Sequence, residues 1–400
     1  MPTFVWLLAL AANIRENNTP LRGSCGPDEA IIAKLPAGAT VDIRFALTTT
    51  MACYKVVAQV DGQPKIGYVA QADIAGKDDF ERQRLAGDAS TVQVIRPEAR
   101  LKPAGGDTTL QRAWDLIGSN QPREALGLIE PALPRFKANS QAFALAGLAA
   151  YRADNPKLAL EYWEQSLALQ PDPNVEVLRE RARREVSHDK SSDSLQGLRV
   201  TLRYEGTSMP ADTARQMTAV LDEEFSRIAA QLGCRADERV VAIVQTPAAY
   251  RASSLAAEWS GGFYDGRIHV PLLEGAQLGP ATRRTFAHEL VHACLANLGK
   301  YPAWLHEGLA QRLSGEGLAV STRALVQEVI ALKSVPRLEQ LGQNWSGLSA
   351  DHARMAYALT WMAAEKIEQE KGAVGIRTIL ANPAVRESVT RELNKSLGLN

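Results

Sequence analysis

The sequence predicts a multidomain chain: a small all-β domain, a segment of paired helices, then an α+β domain that carries the chemistry. Three observations predict it. Four hundred residues are too many for one ordinary core, so roughly two to four domains are expected. Residues 107–190 repeat with a period of 34, the length of a helix–turn–helix unit. After residue 198, strand-like alternation and helical periodicity are mixed.

Residues 13–76 read as all-β. Residues 31–35 make a strand, Pro36-Ala37-Gly38 a turn, and 41–43 the next strand. Residues 53–60 form a third strand running into an Asp61-Gly62 turn, and 66–69 a fourth. Residues 77–106 mix charge, Gly and Pro with little periodicity and read as a partly helical linker.

In the repeated segment, Ala113, Asn120, Pro122, Ala125, Leu126 and Leu133 recur as Gly147, Asp154, Pro156, Ala159, Leu160 and Leu167. Small residues such as Gly147 and Ala159 let paired helices approach, while Trp114, Tyr151 and Trp163 fill the space between turns. Pro171 stops the second repeat, and a helix over 174–186 caps the stack. Two readings are open: a groove for a protein partner, or a spacer packed on the last domain.

Residues 191–197, rich in Ser and Asp, read as a linker. Residues 198–204 alternate as a strand, 211–232 form an amphipathic helix, and 240–244 a buried strand. Residues 261–272 make a hairpin around Asp265-Gly266. Pro280 opens a helix to Leu298, and Pro302 precedes the next. Helices over 322–333, 352–371 and 374–380 complete the chain.

The chemistry concentrates in 287–310. In Ala287-His288-Glu289-Leu290-Val291-His292-Ala293, the two histidines are four apart, share a helix face and can offer two imidazoles to one metal ion. Glu289 points beside that face, where a carboxylate can take the proton of a metal-activated water. Fifteen residues past His292 comes Glu307, in Trp304-Leu305-His306-Glu307-Gly308-Leu309-Ala310. It supplies the third ligand of a catalytic zinc, with the fourth position left to water. His306 adjoins it, but adjacent helical residues point about 100° apart, so only one faces the ion easily. Glu307 is the choice, with His306 a cleft residue.

This arrangement, a His-Glu-x-x-His helix followed by Trp-x-x-Glu-Gly-x-Ala, resembles the gluzincin metallopeptidases, particularly the peptidase-MA-like domains. The resemblance covers roughly residues 198–370 and is strongest over 284–311. It implies one Zn2+ per chain held by His288, His292 and Glu307, with Glu289 as general base. It also implies a peptide or protein substrate lying extended along an edge strand, for which residues 267–270 are the candidate. His269 there faces either the cleft or solvent. In such domains a Tyr in an Ala-Tyr context follows the Glu-Gly segment, and Ala356-Tyr357 matches. Tyr357 is therefore expected to assist the oxyanion, a core position being the other reading. His352 lies on the same helix, and Asp351 or Glu316 could orient a histidine.

Asn13-Ile14-Arg15, Leu35-Pro36-Ala37-Gly38, Tyr54-Lys55-Val56 and Gly67-Tyr68-Val69 resemble bacterial SH3-like domains, which often bind cell-wall material or peptide. Cys53 stands where an aromatic is usual. The 34-residue period resembles tetratricopeptide (TPR) repeats. The expected organisation is a signal segment (1–12), an all-β SH3-like barrel (13–76), a linker (77–106), α-helical TPR-like repeats (107–190) and an α+β gluzincin-like metallopeptidase domain (198–400).

Forty-five basic and 45 acidic residues cancel and are evenly mixed, which argues against a nucleic-acid partner. No apolar run reaches the ~20 residues of a membrane span. Residues 4–12 (FVWLLALAA) are a short apolar run with Ala9-x-Ala11 as a cleavage site, lacking a basic flank. They read as a truncated secretory leader, placing the protein in the periplasm or outside the cell; a first strand or a buried helix is the other reading. Cys25 and Cys53 fall in the first domain, Cys234 and Cys294 in the last, so two within-domain bridges fit an oxidising compartment. The alternatives to an enzyme are a zinc- or peptide-binding scaffold without turnover and a cell-wall-associated binding protein. The intact Glu289 favours the enzyme.

Overall fold

A computed structural model describes residues 10–23, 26–48, 52–76, 98, 101–103, 106–188, 192–206, 209–235, 238–247, 249–250, 262–271, 278–331, 335–341 and 350–399. At the N-terminus lie β1 (Leu10–Ile14), β2 (Thr19–Arg22), β3 (Ile31–Leu35), β4 (Thr40–Thr48), β5 (Ala52–Val60), β6 (Gln63–Ala70) and β7 (Ile74–Ala75). They form one antiparallel sheet in the order β3-β2-β6-β5-β4-β1-β7, curled into a half-barrel. Ala12, Ile14, Leu21, Tyr54, Val56, Ala58 and Ile74 fill its inside, while Cys53 and Lys55, on the other face of β5, are buried as well. The end of the apolar N-terminal run belongs to β1, where Ala12 is buried and pairs with Val41. Residues 1–9 of the expected leader lie outside the described residues, as do residues 77–97 of the expected linker.

The helical segment comprises α1 (Thr108–Gly118), α2 (Pro122–Ile129), α3 (Ser140–Arg152), α4 (Pro156–Leu169) and α5 (Pro173–His188). Side-chain oxygens of Asp107, Asn139 and Asn155 accept first-turn N–H groups of α1, α3 and α4, as short polar N-caps do. Asn120 and Asp154, one period apart, both adopt the left-handed conformation (φ 60° and 66°) that turns α1 into α2 and α3 into α4. Trp163 of α4 is fully buried against Gly147 of α3, where a Cβ would come within 2.4 Å of the indole nitrogen.

Beyond residue 191 come β8 (Ser192–Gln196), β9 (Val200–Glu205), β10 (Val240–Gln245), β11 (Phe263–Tyr264) and β12 (Ile268–Pro271). Their order is β11-β12-β10-β9-β8, with β9, β10 and β12 parallel and the two outer strands antiparallel. The helices are α6 (Ala211–Leu232), α7 (Pro280–Leu298), α8 (Ala303–Leu313), α9 (Val320–Ala331), α10 (Ala350–Ala381) and α11 (Pro383–Leu397). Gly372 breaks α10 (φ 59°), between the two helices the sequence suggests. Val200, Leu202, Val240, Ala242, Ile268 and Val270 join the α6 and α7 side chains in one core. The intervening Arg203, Ile243 and His269 are buried too, on the other face, so the central strands have no wet side. No helix among the described residues is long and apolar enough to cross a membrane.

Two expectations are corrected here. Residues 192–196, read as linker, are the outer strand β8. The Asp222 carboxylate accepts the N–H groups of Leu198, Arg199 and Val200 and anchors the turn that lays β8 on β9. Nor are residues 267–270 an edge. The Asp265-Gly266 turn folds β11 back over β12, pairing Phe263 with His269 and Tyr264 with Ile268, so β11 is the outer strand among the described residues. His269 consequently faces neither cleft nor solvent. It is 1% exposed, stacked on Phe263 at 4.3 Å, with Nε2 3.3 Å from Asp265 Oδ1.

Candidate metal centre

Pro280 sits at the first turn of α7, where its missing N–H costs nothing, and the helix runs on past both histidines. Phe286, Ala287, Leu290, Val291, Cys294 and Leu295 bury one side of it. A disulfide joins Cys294 to Cys234, just past the end of α6, with Cα atoms 5.6 Å apart. Cys53 is also disulfide-bonded; Cys25 lies outside the described residues.

His288 and His292 project from the remaining side toward α8, with ring centroids 5.0 Å apart. Glu307 meets them there: its Oε2 lies 3.4 Å from His288 Nε2 and 3.6 Å from His292 Nε2. Three such ligand atoms, all within 4.8 Å of one another, can hold a metal ion. On a tetrahedral ion with bonds of about 2.0–2.1 Å, ligand atoms stand roughly 3.3 Å apart. The outer ring nitrogens are engaged: His288 Nδ1 donates to Glu316 Oε1 at 3.0 Å, and His292 Nδ1 is 3.4 Å from His306 Nδ1. Such contacts hold a ligating ring in one tautomer and orientation.

Glu307 Oε2 and Glu289 Oε2 are both buried with no hydrogen-bond partner among the described residues. Nor does any described Lys or Arg pair with Glu289, Glu307 or Glu316. A buried, underpaired carboxylate group is costly by itself and suits a dication. The donor set therefore fits zinc.

Burial alone would raise the Glu307 carboxyl, but the His292 and His288 rings outweigh it and hold it well below the usual range. Burial would lower His288, yet the neighbouring Glu307 and Glu316 carboxylates push it well above the ordinary imidazole value. Burial raises Glu289, and the nearby histidines only partly offset this. Burial also pushes the half-buried Tyr357 hydroxyl up, helped by the charges of Glu307, Glu289 and Glu316.

The segment around Glu307 is shaped by packing. Trp304 and Ala310 are buried, and Gly308 lies under α10, where a Cβ would stand 2.5 Å from the Thr360 carbonyl oxygen. Gln311 Nε2 donates to the Tyr357 carbonyl at 3.1 Å, tying α8 to the turn that carries Tyr357. The structure thus brings His288, His292, Glu307 and Glu289 together, with Glu316, His306 and Tyr357 around them. The side chains of Asp351 and His352 lie outside the described residues.

Gly262 escaped sequence reasoning: a Cβ there would lie 3.2 Å from Glu289 Oε1, so the chain leading into β11 runs against that carboxylate. Its place before an Asp-Gly hairpin was the only signal. Compared with known proteins, the chain matches no family model, no curated protein and no solved structure.

Proposed function

We propose that the chain is a zinc metallopeptidase of gluzincin type, with an SH3-like barrel and TPR-like helices preceding the peptidase domain. One observation carries the reading. The Nε2 atoms of His288 and His292 converge on one Glu307 oxygen, beside a buried Glu289 oxygen that has no partner. Two imidazoles and one carboxylate favour zinc over magnesium or calcium, which prefer oxygen shells. Bound zinc would polarise the scissile carbonyl and acidify a water.

The chain's own groups do the rest. Glu316 and His306 keep the two rings turned with Nε2 inward. Glu289 takes the proton of the attacking water and passes it to the leaving amine nitrogen. Tyr357, kept protonated by burial and by three nearby carboxylates, donates to the carbonyl oxygen as charge develops on it. The outer strand β11 offers main-chain groups for an extended peptide. The Cys234–Cys294 bridge suits a periplasmic or secreted setting.

Glu289→Gln tests this, because it keeps shape and removes the base. The variant is expected to fold, to retain about one zinc per chain, and to cleave an unfolded protein at least ~10²-fold more slowly. Undiminished cleavage by the zinc-loaded variant would remove Glu289 as the base. Zinc binding with no cleavage by either protein, over a broad peptide mixture, would leave a zinc-binding scaffold.

A further inference from the structure

One side of the helical segment packs against the five-stranded sheet of the same chain. The tip of the β11–β12 hairpin sits against α3 and α5. Asp265 Oδ2 accepts from Arg181 Nη2 at 2.5 Å, and Arg181 also covers the Phe263 ring at 5.1 Å. Arg267, fully buried, lies 4.0 Å over the Tyr151 ring and donates to both oxygens of Glu185 at 2.9 and 3.0 Å. The two turn residues one period apart each hold this sheet. Asp154 accepts from Arg203 at 2.7 Å and from Arg267 at 3.1 Å. Asn120 Oδ1 accepts from the Tyr264 hydroxyl at 2.8 Å. Lower down, the Glu238 carboxylate accepts the N–H groups of Arg123 and Glu124, at the start of α2.

A spacer alone would need only apolar contact with its neighbour. Here the turn at Asn120 ends on the hairpin through a hydrogen bond of fixed geometry, and the turn at Asp154 ends on β9 and β12 through charge-assisted ones. The hairpin in turn leads through Gly262 to the Glu289 carboxylate. We propose that the helical segment is a positioning device for the candidate active site. Its turns at Asn120 and Asp154 hold the β11–β12 hairpin, and so fix the strand on which substrate lies relative to Glu289. This rests on the peptidase reading. Asn120, Asp154, Arg181 and Glu185 are positioning residues; none of them contacts the metal ligands.

Asn120→Gly and Tyr264→Phe test it gently. Glycine accepts the left-handed turn at position 120, and each change removes one side of the same hydrogen bond. Tyr162→Phe, which removes a bond to Glu130 within the helical segment, is the control. Losing one such bond, worth about 1 kcal/mol, corresponds to roughly a 5-fold change. Amide hydrogen exchange over residues 263–270 is expected to quicken about 5-fold in both variants. KM for a mixture of fluorescence-quenched decapeptides is expected to rise by a similar factor, with kcat and zinc content unchanged. The Tyr162→Phe control should alter neither. Unchanged exchange over 263–270 in both variants overturns the proposal. So does faster exchange with unchanged KM, because the hairpin would then be held without guiding substrate. If the native protein cleaves nothing, the peptidase reading fails separately; the exchange measurement still decides whether these turns hold the hairpin.

Discussion

Glu307 and His306 are neighbours in the chain, yet they meet different atoms. Glu307 Oε2 stands between the two Nε2 atoms, while His306 reaches the outer nitrogen of His292. The turn of roughly 100° between adjacent helical residues separates them. Glu307→Ala is therefore expected to abolish stoichiometric zinc binding. His306→Ala should keep the metal and weaken it by about 10-fold, the lower end for loss of an outer contact. Zinc analysis with chelator competition measures both, and the reverse order would move the third ligand to His306. The two candidate histidine ligands were legible in the sequence because helical spacing alone puts positions 288 and 292 on one face. Of their supports, Glu316 was legible only as one of two acids that could orient a histidine. Glu316 lies 28 residues from His288, and only the packing of α8 on α7 brings it there.

At the scale of elements, the pairing of α8 with α10 sets where Glu307 and Tyr357 stand. Gly308 permits it, since any side chain there meets the Thr360 carbonyl. Gly308→Ala is expected to destabilise the protein by about 1–3 kcal/mol, the scale of overpacking, and to weaken zinc binding by shifting Glu307. Calorimetry and chelator competition check the two effects; an unchanged Tm would mean that α8 and α10 yield without cost. Helix α6, with its amphipathic period, and helix α7, with its proline start, fall where the sequence places them. Strand β8 was not legible, because Ser192–Gln196 is polar and mostly exposed, with no alternation to read. Its pairing depends on Asp222, a residue of α6.

At the scale of the whole molecule, the helical segment and the five-stranded sheet share a buried set of charges. The Arg267 and Arg203 guanidiniums beside Glu185 overcome its burial and hold its carboxyl well below the ordinary 4.5. Asp265 is lowered likewise: burial opposes this, and Arg181 and His269 outweigh it. Below the ordinary value the unfolded chain binds protons that the folded chain still refuses. Stability from these groups is thus fully present above about pH 4.5 and is lost as pH falls toward their folded values. Protonating Glu185 would leave two buried arginines with only the Asp154 carboxylate between them, at a cost of up to about 3–5 kcal/mol. Denaturant midpoints are expected to fall steeply below that pH, and Glu185→Gln should lower the midpoint at neutrality and flatten the acid limb. An unchanged acid limb would show that Glu185 does not carry it.

By itself the sequence determined the residues of the candidate metal site, the helical repeat and the strand-rich start. These follow from local periodicity and short-range spacing, which backbone geometry enforces wherever the chain goes. Only the tertiary structure decided which strand is outermost, that His269 is buried, and that Arg181, Glu185 and Arg267 meet. Residues 173–188 carry charge all round except for one apolar stripe through Val175, Leu178 and Ala182, so no pattern there distinguishes a buried arginine from a solvated one. That choice is made by what packs opposite, and the partners lie about 80 residues away in the chain.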